Sequence, residues 1–333
     1  MSFVKRTNKS IFVTGGAGYV GSVLVPKLLA EGHRVTVLDL MIYGDNTLDD
    51  HPNLNKQKGD IRDTELLQKI IPGHDSVIHL ACISNDPSFE LNPALGKSIN
   101  LDAFSPLVEI SKGASVKRFI YASSSSVYGI KEEKDVHEEM TLEPLTDYSK
   151  FKADCETILS SFHDDNFITV TLRPATVCGY SRRQRLDVVV NILTNLAYHK
   201  REISVFGGSQ LRPNIHIEDM ADAYMVILDA PDEKISQKVF NVGCENHSVL
   251  ELAKTVQEVV SRDVKLVVTP TDDLRSYHVS SAKILKELGF ATKHTIKQAS
   301  IDLVQAFEKG LLPNSLEDER YFNIKKMQSI YLE

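Results

Sequence analysis

The chain has 333 residues and sets 38 basic against 45 acidic side chains, a formal net charge of −7. That length holds about two domains, or one large α/β unit with an attached lobe, and 42% hydrophobic residues supply a core that disfavours disorder. The acidic balance argues against nucleic-acid binding, which calls for a basic stripe, and no apolar stretch approaches the roughly 20 residues needed to span a bilayer.

The N-terminus has two basic clusters but no apolar run before Ile11, so no secretory signal is read and a cytoplasmic location is expected. SIFVTG (10–15) reads as a strand, with a helix from Gly18 to Glu31 that Gly32 stops. RVTVLD (34–39) is the next strand, and a third strand-like segment precedes GDIRD (59–63). DSVIHLA (75–81), RFIYASS (118–124) and FITVTLRP (167–174) repeat the pattern. Strands apolar nearly throughout point to a parallel sheet covered on both faces. Their alternation with helices predicts an α/β fold, a Rossmann-type doubly wound parallel sheet.

After Val177 the regularity breaks. One helical run covers Val188 to Tyr198, and helices are predicted over 218–229, 248–260, 280–288 and 295–309, with Ser248 at an N-cap and Gly289 and Gly310 at C-terminal ends. Short strands at 238–243 and 265–270 interleave. The expected division is a dinucleotide-binding domain over 1–178 and a smaller mixed lobe over 179–333, with roughly 210–243 crossing back. Cys82, Cys155, Cys178 and Cys244 are scattered with no CxxC, which fits neither a zinc site nor a disulfide framework, and no metal is expected.

The first chemical motif is GGAGYVG (15–21), between a strand and a helix. Gly15 permits the tight turn, Gly18 admits a pyrophosphate to the backbone, and Gly21 lets helix and strand pack closely. Tyr19 and Val20 follow at the helix start, whose N–H groups and partial positive charge suit phosphates. Asp39 ends the next strand, where a carboxylate accepts from an adenosine ribose 2′-hydroxyl and repels a 2′-phosphate, so NAD is favoured over NADP. In GDIRD, Asp60 suits the adenine amino group and Ile61 the ring face; the alternative has Asp60 capping the helix that begins near Thr64.

YSKFK (148–152) puts Tyr148 and Lys152 on one helix face. A phenol becomes a useful base near pH 7 only if its pKa falls by roughly 3 units, about 4 kcal/mol. An adjacent Lys ammonium and a positive nicotinamide ring favour the phenolate that way. Tyr148 then takes a proton from a substrate hydroxyl while the carbon gives hydride to NAD⁺, and Lys152 also suits the nicotinamide ribose. Alone, YxxxK also fits a plain surface pair. YASSSSVYG (121–129) supplies context: Ser124, at the end of a strand, is placed to orient the reacting hydroxyl, with Ser125 and Ser126 lining the substrate. A serine-rich loop that merely satisfies backbone groups is the competing reading.

Together these motifs resemble the extended short-chain dehydrogenases/reductases that act on nucleotide sugars. GGAGYVG, DIRD (60–63), HLA (79–81), Asn100, SSSSVYG (123–129), YSKFK, LRP (172–174) and RPNIHIEDMADAY (212–224) match that family in order. The resemblance implies Ser124, Tyr148 and Lys152 as catalytic residues. It implies that Leu80, Ala81 and Ser84 line the cofactor and that Asn100 helps to position it. It implies that Asn191, Arg212 and Arg275 contact the nucleotide diphosphate or its ribose, with solvated ion pairs as the alternative for the arginines. Thr176 stands where an Asn is common and is counted with the substrate residues.

Departures narrow the chemistry. The 4,6-dehydratases of the family carry Asp-Glu directly after the catalytic Thr, where this chain has Ser125 and Ser126. The 3,5-epimerases/4-reductases of the deoxyhexose type place a Cys at Ser126. YASSSSVYG instead resembles the 4-epimerases. SRRQRLDVVVN (181–191) is similar to a bacterial subgroup acting on nucleotide-linked heptoses and related sugars, and Arg182, Arg183 and Arg185 face phosphates or a charged sugar on that reading, with a solvated basic loop as the alternative. The leading expectation is an NAD-dependent nucleotide-sugar 4-epimerase that acts as a homodimer through paired helices. The rivals are a C4 dehydrogenase/reductase, and a non-catalytic NAD-binding sensor.

Overall fold

The computed structural model describes residues 8–133, 135–271, 276, 278–330 and 332. Its centre is a seven-stranded, all-parallel sheet. The strands are β1 (Ser10–Thr14), β2 (Arg34–Asp39), β3 (Leu54–Lys58), β4 (Ser76–His79), β5 (Arg118–Ala122) and β6 (Ile168–Pro174). After β7 (Thr176–Cys178), β8 (Glu202–Phe206) and β9 (Leu211–His216), the late strand β10 (Lys238–Val242) completes the sheet. The order is β10-β6-β5-β4-β1-β2-β3. Direction of winding reverses between β1 and β4, which opens a crevice at the carboxyl ends of the strands.

β1 and β4 are buried along their whole length, as strands covered on two faces must be. One face carries Leu24, Val25 and Leu28 of the helix Gly21–Ala30 and Ala221, Tyr224 and Leu228 of the helix Ile217–Asp229. The other carries Leu67, Phe104, Leu107, Cys155 and Leu159 from the helices Thr64–Ile70, Phe104–Gly113 and Asp147–Phe162. Full burial of each Leu contributes roughly 1.5–3 kcal/mol. The first helix starts at Gly21 rather than Gly18, because residues 15–20 form the turn itself. Gly15 takes φ +71°, and a Cβ there would lie 2.6 Å from Ala81 N, so only glycine fits.

The second lobe stacks the helices Val189–Lys200, Val249–Val260 and Ile296–Glu308 over a two-stranded parallel sheet of β8 with β12 (Lys265–Thr269). Ser248 caps its helix in a reciprocal capping box with Glu251. A small sheet of β7, β9 and β11 (Glu245–Ser248) joins this lobe to the main one. The four cysteines are free thiols, and no described helix is long and apolar enough to cross a membrane.

Candidate active site

The crevice deepens into a cavity of about 560 Å³ lined from both lobes. Its cofactor end is the glycine turn. Gly15 N donates to Leu38 O at 2.8 Å, and Gly18 N donates to Gly15 O at 3.1 Å, which folds the turn tightly over β1 and β2. Ser22 N donates to Gly18 O and Leu24 N to Val20 O, both at 2.9 Å, so the helix Gly21–Ala30 grows directly out of the turn and aims its positive end at the cavity. Asp39 lines the cavity, and its carboxylate accepts from Ala17 N at 3.0 Å and Met41 N at 2.9 Å. Burial raises its pKa, and these two N–H groups hold it down. Each oxygen keeps a second lone pair for a ribose hydroxyl.

Gly18, Tyr19, Val20, Ile61, Leu80, Ala81 and Ser84 also line the cavity. Asp60 is bound by Arg62, with Nη2 2.7 Å from Oδ2, and its pKa is lowered by that contact against burial. The cap of the helix Thr64–Ile70 is Asp63, which accepts from Leu66 N at 2.9 Å, so the capping alternative for Asp60 is corrected by three residues. Asn100 works one step back from the cavity. It sits in a π-helical turn, Ser98–Asp102, where its Oδ1 accepts from Ile83 N at 2.8 Å and its Nδ2 donates to Ile83 O at 2.9 Å. It thereby shapes the loop after β4.

The chemical end is built by β5 and the helix Asp147–Phe162. Thr146 and Ser149 form a capping box, which fixes Tyr148 in the first helical turn and Lys152 one turn on. Lys152 is buried, and its Nζ donates to Ala122 O at 2.7 Å and stands 5.8 Å from the centre of the Tyr148 ring. Ser124 caps the 3₁₀ turn Ser125–Tyr128. Its Oγ accepts from Ser126 N at 3.1 Å and from Ser126 Oγ at 2.9 Å. Ser124 in turn hydrogen-bonds Tyr148, which favours the phenolate.

The phenol pKa nevertheless lies well above its ordinary value in the protein alone. Burial dominates, Cys82 and Asp86 add to it, and Arg185 with the Ser124 hydrogen bond oppose it. The expected fall of the Tyr148 pKa is therefore not met in the protein alone, where burial outweighs the favourable contacts.

A buried network braces the serine turn from behind. Arg173 Nη2 lies 2.6 Å from Glu156 Oε2, and its Nη1 donates to Tyr128 Oη at 2.8 Å. Tyr128 Oη donates to Asn241 Oδ1 at 2.7 Å, and Ser123 donates to Glu156. A desolvated ion pair holds its geometry only when its remaining donors and acceptors are met, as they are here.

Ser125, Ser126, Thr176, Arg185 and Arg212 all line the cavity. Arg185 pairs with Asp187 at 2.9 Å. Asn191 does not reach it: its amide is engaged with Gly179 N at 3.0 Å, Tyr19 Oη at 2.9 Å and Arg185 O at 2.7 Å, so it supports the loop rather than the ligand. Arg182 turns to the surface and pairs with Asp49 at 2.6 Å. Arg275 lies outside the described residues.

Arg183 lines the cavity with its guanidinium 3.4 Å from the Tyr43 ring centre. Its Nε and Nη1, and Nη2 of Arg185, are buried without hydrogen-bond partners among the described residues. Buried donors of this kind are costly unless a ligand meets them. Unmet guanidinium donors beside a glycine turn fit a diphosphate, so the residues present suit a dinucleotide. Sequence reasoning missed Asn323, which ties Arg183 to Ser84 from the far end of the chain. No local motif marks it.

The NAD dependent epimerase/dehydratase family matches the chain over residues 11–243. UDP-glucose 4-epimerase of Lactobacillus helveticus is 29% identical over 305 residues, spanning 85% of this chain and 92% of its own. The solved Thermotoga maritima UDP-glucose 4-epimerase with UDP-glucose superposes with a TM-score of 0.81 at 27% identity, over 91% of this chain and 99% of its own. The UDP-N-acetylglucosamine 4-epimerase of Methanobrevibacter ruminantium M1, in complex with UDP-N-acetylmuramic acid, gives 0.83 at 25%, over 92% and 100%. With the glycine turn, Asp39 and the Ser124, Tyr148 and Lys152 cluster in place, the chain belongs to the NAD dependent epimerase/dehydratase family of extended short-chain dehydrogenases/reductases, and NAD is its cofactor.

Proposed function

We propose that the protein is a nucleotide-sugar 4-epimerase. The observation that carries this reading is the composition of the cavity wall next to Tyr148: Ser124, Ser125 and Ser126 line it, with neither a carboxylate nor a thiol in the serine turn. Hydroxyls of that kind orient a substrate alcohol but do not remove a carbon-bound proton, so the serine turn offers no base for elimination or C3/C5 epimerisation. Oxidation and reduction at one carbinol carbon remain. The relatives that act on UDP-sugars support a uridine diphosphate sugar as substrate.

NAD, when bound, supplies the hydride acceptor and donor. Tyr148 takes the C4 hydroxyl proton and later returns it. Ser124 donates to the reacting oxygen, with its own orientation set by Ser126. Lys152, held by Ala122 O, presents its charge beneath Tyr148 and to the nicotinamide ribose. Arg185 and Arg212 meet the diphosphate. The 4-keto sugar turns over in the cavity and is reduced on its other face, with no net redox change. We assign residues 1–178 to the dinucleotide part and 179–333 to the sugar part, with roughly 210–243 crossing back, a reading that β10 in the main sheet supports. The helices Phe104–Gly113 and Asp147–Phe162, packed side by side, are the pair proposed to form a homodimer.

The test is incubation of the purified protein with UDP-, GDP-, CDP- and dTDP-sugars, read by NMR and mass. The expected result is a C4 epimer of one of them without added NAD and without NADH accumulation, lost in Tyr148→Phe. Stoichiometric NADH with a released keto-sugar would instead make the protein the C4 dehydrogenase. No reaction with any sugar, and none lost in Tyr148→Phe, would leave a sensor.

A further inference from the structure

The chain ends in a short turn, Glu319–Tyr321, and a helix, Asn323–Ser329. Both lie beyond the family match, which stops at residue 243. The turn is fastened to the second lobe, where Leu186 N donates to Tyr321 O at 2.8 Å. The helix then lies against Asp86–Glu90, at the carboxyl end of the main sheet.

Asn323 is 3% exposed and engages both side-chain polar atoms and its backbone N–H. Its Oδ1 accepts from Arg183 Nη2 at 2.6 Å and from Tyr43 Oη at 3.1 Å. Its Nδ2 donates to Ser84 Oγ at 2.8 Å, and its backbone N donates to Asp187 Oδ2 at 2.9 Å. These partners come from three separate places: the loop after β2, the loop after β4, and residues 183–187 of the second lobe. β2 and β4 flank β1, and the space between their following loops is where a dinucleotide lies in such a sheet. Further along, Met327 and Leu332 line the same cavity and pack on the core beside it.

A chain segment pinned to both rims of a crevice crosses it. We infer that residues 319–330 form a strap that retains the dinucleotide, and that Asn323 is the positioning residue that fastens it. The inference rests on the NAD reading above. The cofactor leaves only after the bonds of Asn323 to Tyr43 and Ser84 break, and a buried amide gives up such partners at a cost. The strap also holds Arg183 on Tyr43, so fastening and the donors facing the cavity are one arrangement. By linkage, whatever free energy the strap adds to cofactor retention, the cofactor adds to strap closure.

Two measurements test this. The first is the release rate of NADH, followed by its fluorescence, from the full-length protein, from Asn323→Leu, from Asn323→Asp and from a chain ending at Phe322. Release is expected about tenfold faster or more in Asn323→Leu and in the shortened chain. It is expected at an intermediate rate in Asn323→Asp, which keeps acceptors for Arg183 and Tyr43 but loses the donor to Ser84. The second is hydrogen exchange of amides 323–330 in the unaltered protein, stripped of and saturated with NAD. Saturation is expected to slow it. This arm needs no variant to fold. Unchanged release in folded variants, or exchange indifferent to NAD, overturns the strap and leaves the NAD reading standing. An unaltered protein that binds no NADH overturns both.

Discussion

The Ser126 hydroxyl donates to Ser124 Oγ at 2.9 Å, and the Ser126 amide donates to the same oxygen at 3.1 Å. With both acceptor positions of Ser124 filled by one neighbour, its single hydrogen is the group left, donated to Tyr148 in the protein alone and to the reacting oxygen once substrate is bound. Ser126→Ala removes one of these donors and frees the Ser124 rotor. We expect kcat to fall about fivefold, the worth of one ordinary hydrogen bond near 1 kcal/mol. Ser126→Thr keeps the hydroxyl and is expected to recover most of the loss. Equal rates for Ala and Thr would remove Ser126 from the arrangement.

Tyr148 sets the pH dependence. A base acts in its deprotonated form, and burial keeps the Tyr148 phenol above its ordinary pKa when the protein is alone. Cofactor-free protein is therefore expected to hold Tyr148 neutral throughout the physiological range. Binding of NAD⁺ brings a positive ring to the phenol and shifts its titration downwards. Ultraviolet difference titration of the phenolate, compared with Tyr148→Phe, reads this directly. Lys152→Met is expected to move the acidic limb of kcat, below which Tyr148 is protonated, to higher pH. A Tyr148 titration indifferent to NAD would contradict the assignment.

Asp39 lines the cavity, holds the glycine turn to β2 through Ala17 N and accepts from Met41 N in its own loop. Asp39→Asn keeps the size, removes the charge and sets an amide nitrogen against either Ala17 N or Met41 N. NAD affinity is expected to fall about tenfold, and the preference for NAD over NADP to shrink by a similar factor, since a charge-assisted hydrogen bond is lost and a repulsion is lifted. Calorimetric titration with both dinucleotides measures it. An unchanged ratio would move cofactor selection elsewhere.

His79 makes the fold acid-sensitive. It is buried at the end of β4, with Nδ1 2.7 Å from Thr14 Oγ1, and burial together with the Lys152 charge pushes its pKa down to about 3. In the unfolded chain it titrates near 6.5, so the unfolded state binds the extra proton first as pH falls. Its contribution to stability is full above about pH 6.5 and is lost as pH drops towards 3, by about 1.4 kcal/mol for each unit. Urea unfolding at pH 7.5 and 5.5 is expected to show a smaller loss for His79→Gln than for the unaltered protein. Parallel losses in the two would show that other groups set the acid limb.

The parts of this molecule that were legible in its sequence are those with short-range signatures. The glycine turn, Asp39 and the Tyr148 and Lys152 pair each lie within one strand-turn-helix unit, where period and spacing speak for the backbone. The four helices predicted after residue 216 begin and end within two residues of the sequence reading, with Ser248, Gly289 and Gly310 marking three of their ends. Asn323 with Ser84, and Glu156 with Arg173 and Asn241, were not legible. Their partners are distant in sequence, and an asparagine or glutamate gives no local sign of what will lie beside it. Asn191 and Arg182 failed for a related reason. A loop's residues can be counted from sequence, but which way each one turns depends on the packing of the lobe beneath it.

One consequence follows from the position of β10. It pairs with β6 along Lys238–Val242, so the outer edge of β6 has no neighbour until the chain is made past residue 242. A nascent polypeptide leaving the ribosome thus presents the Thr169–Pro174 edge bare while β7, β8 and β9 are still being synthesised. Bare edges recruit other strands. Translation pauses before residue 242, or truncation just ahead of it, should expose this protein to aggregation more than the same interruption after β10 has docked.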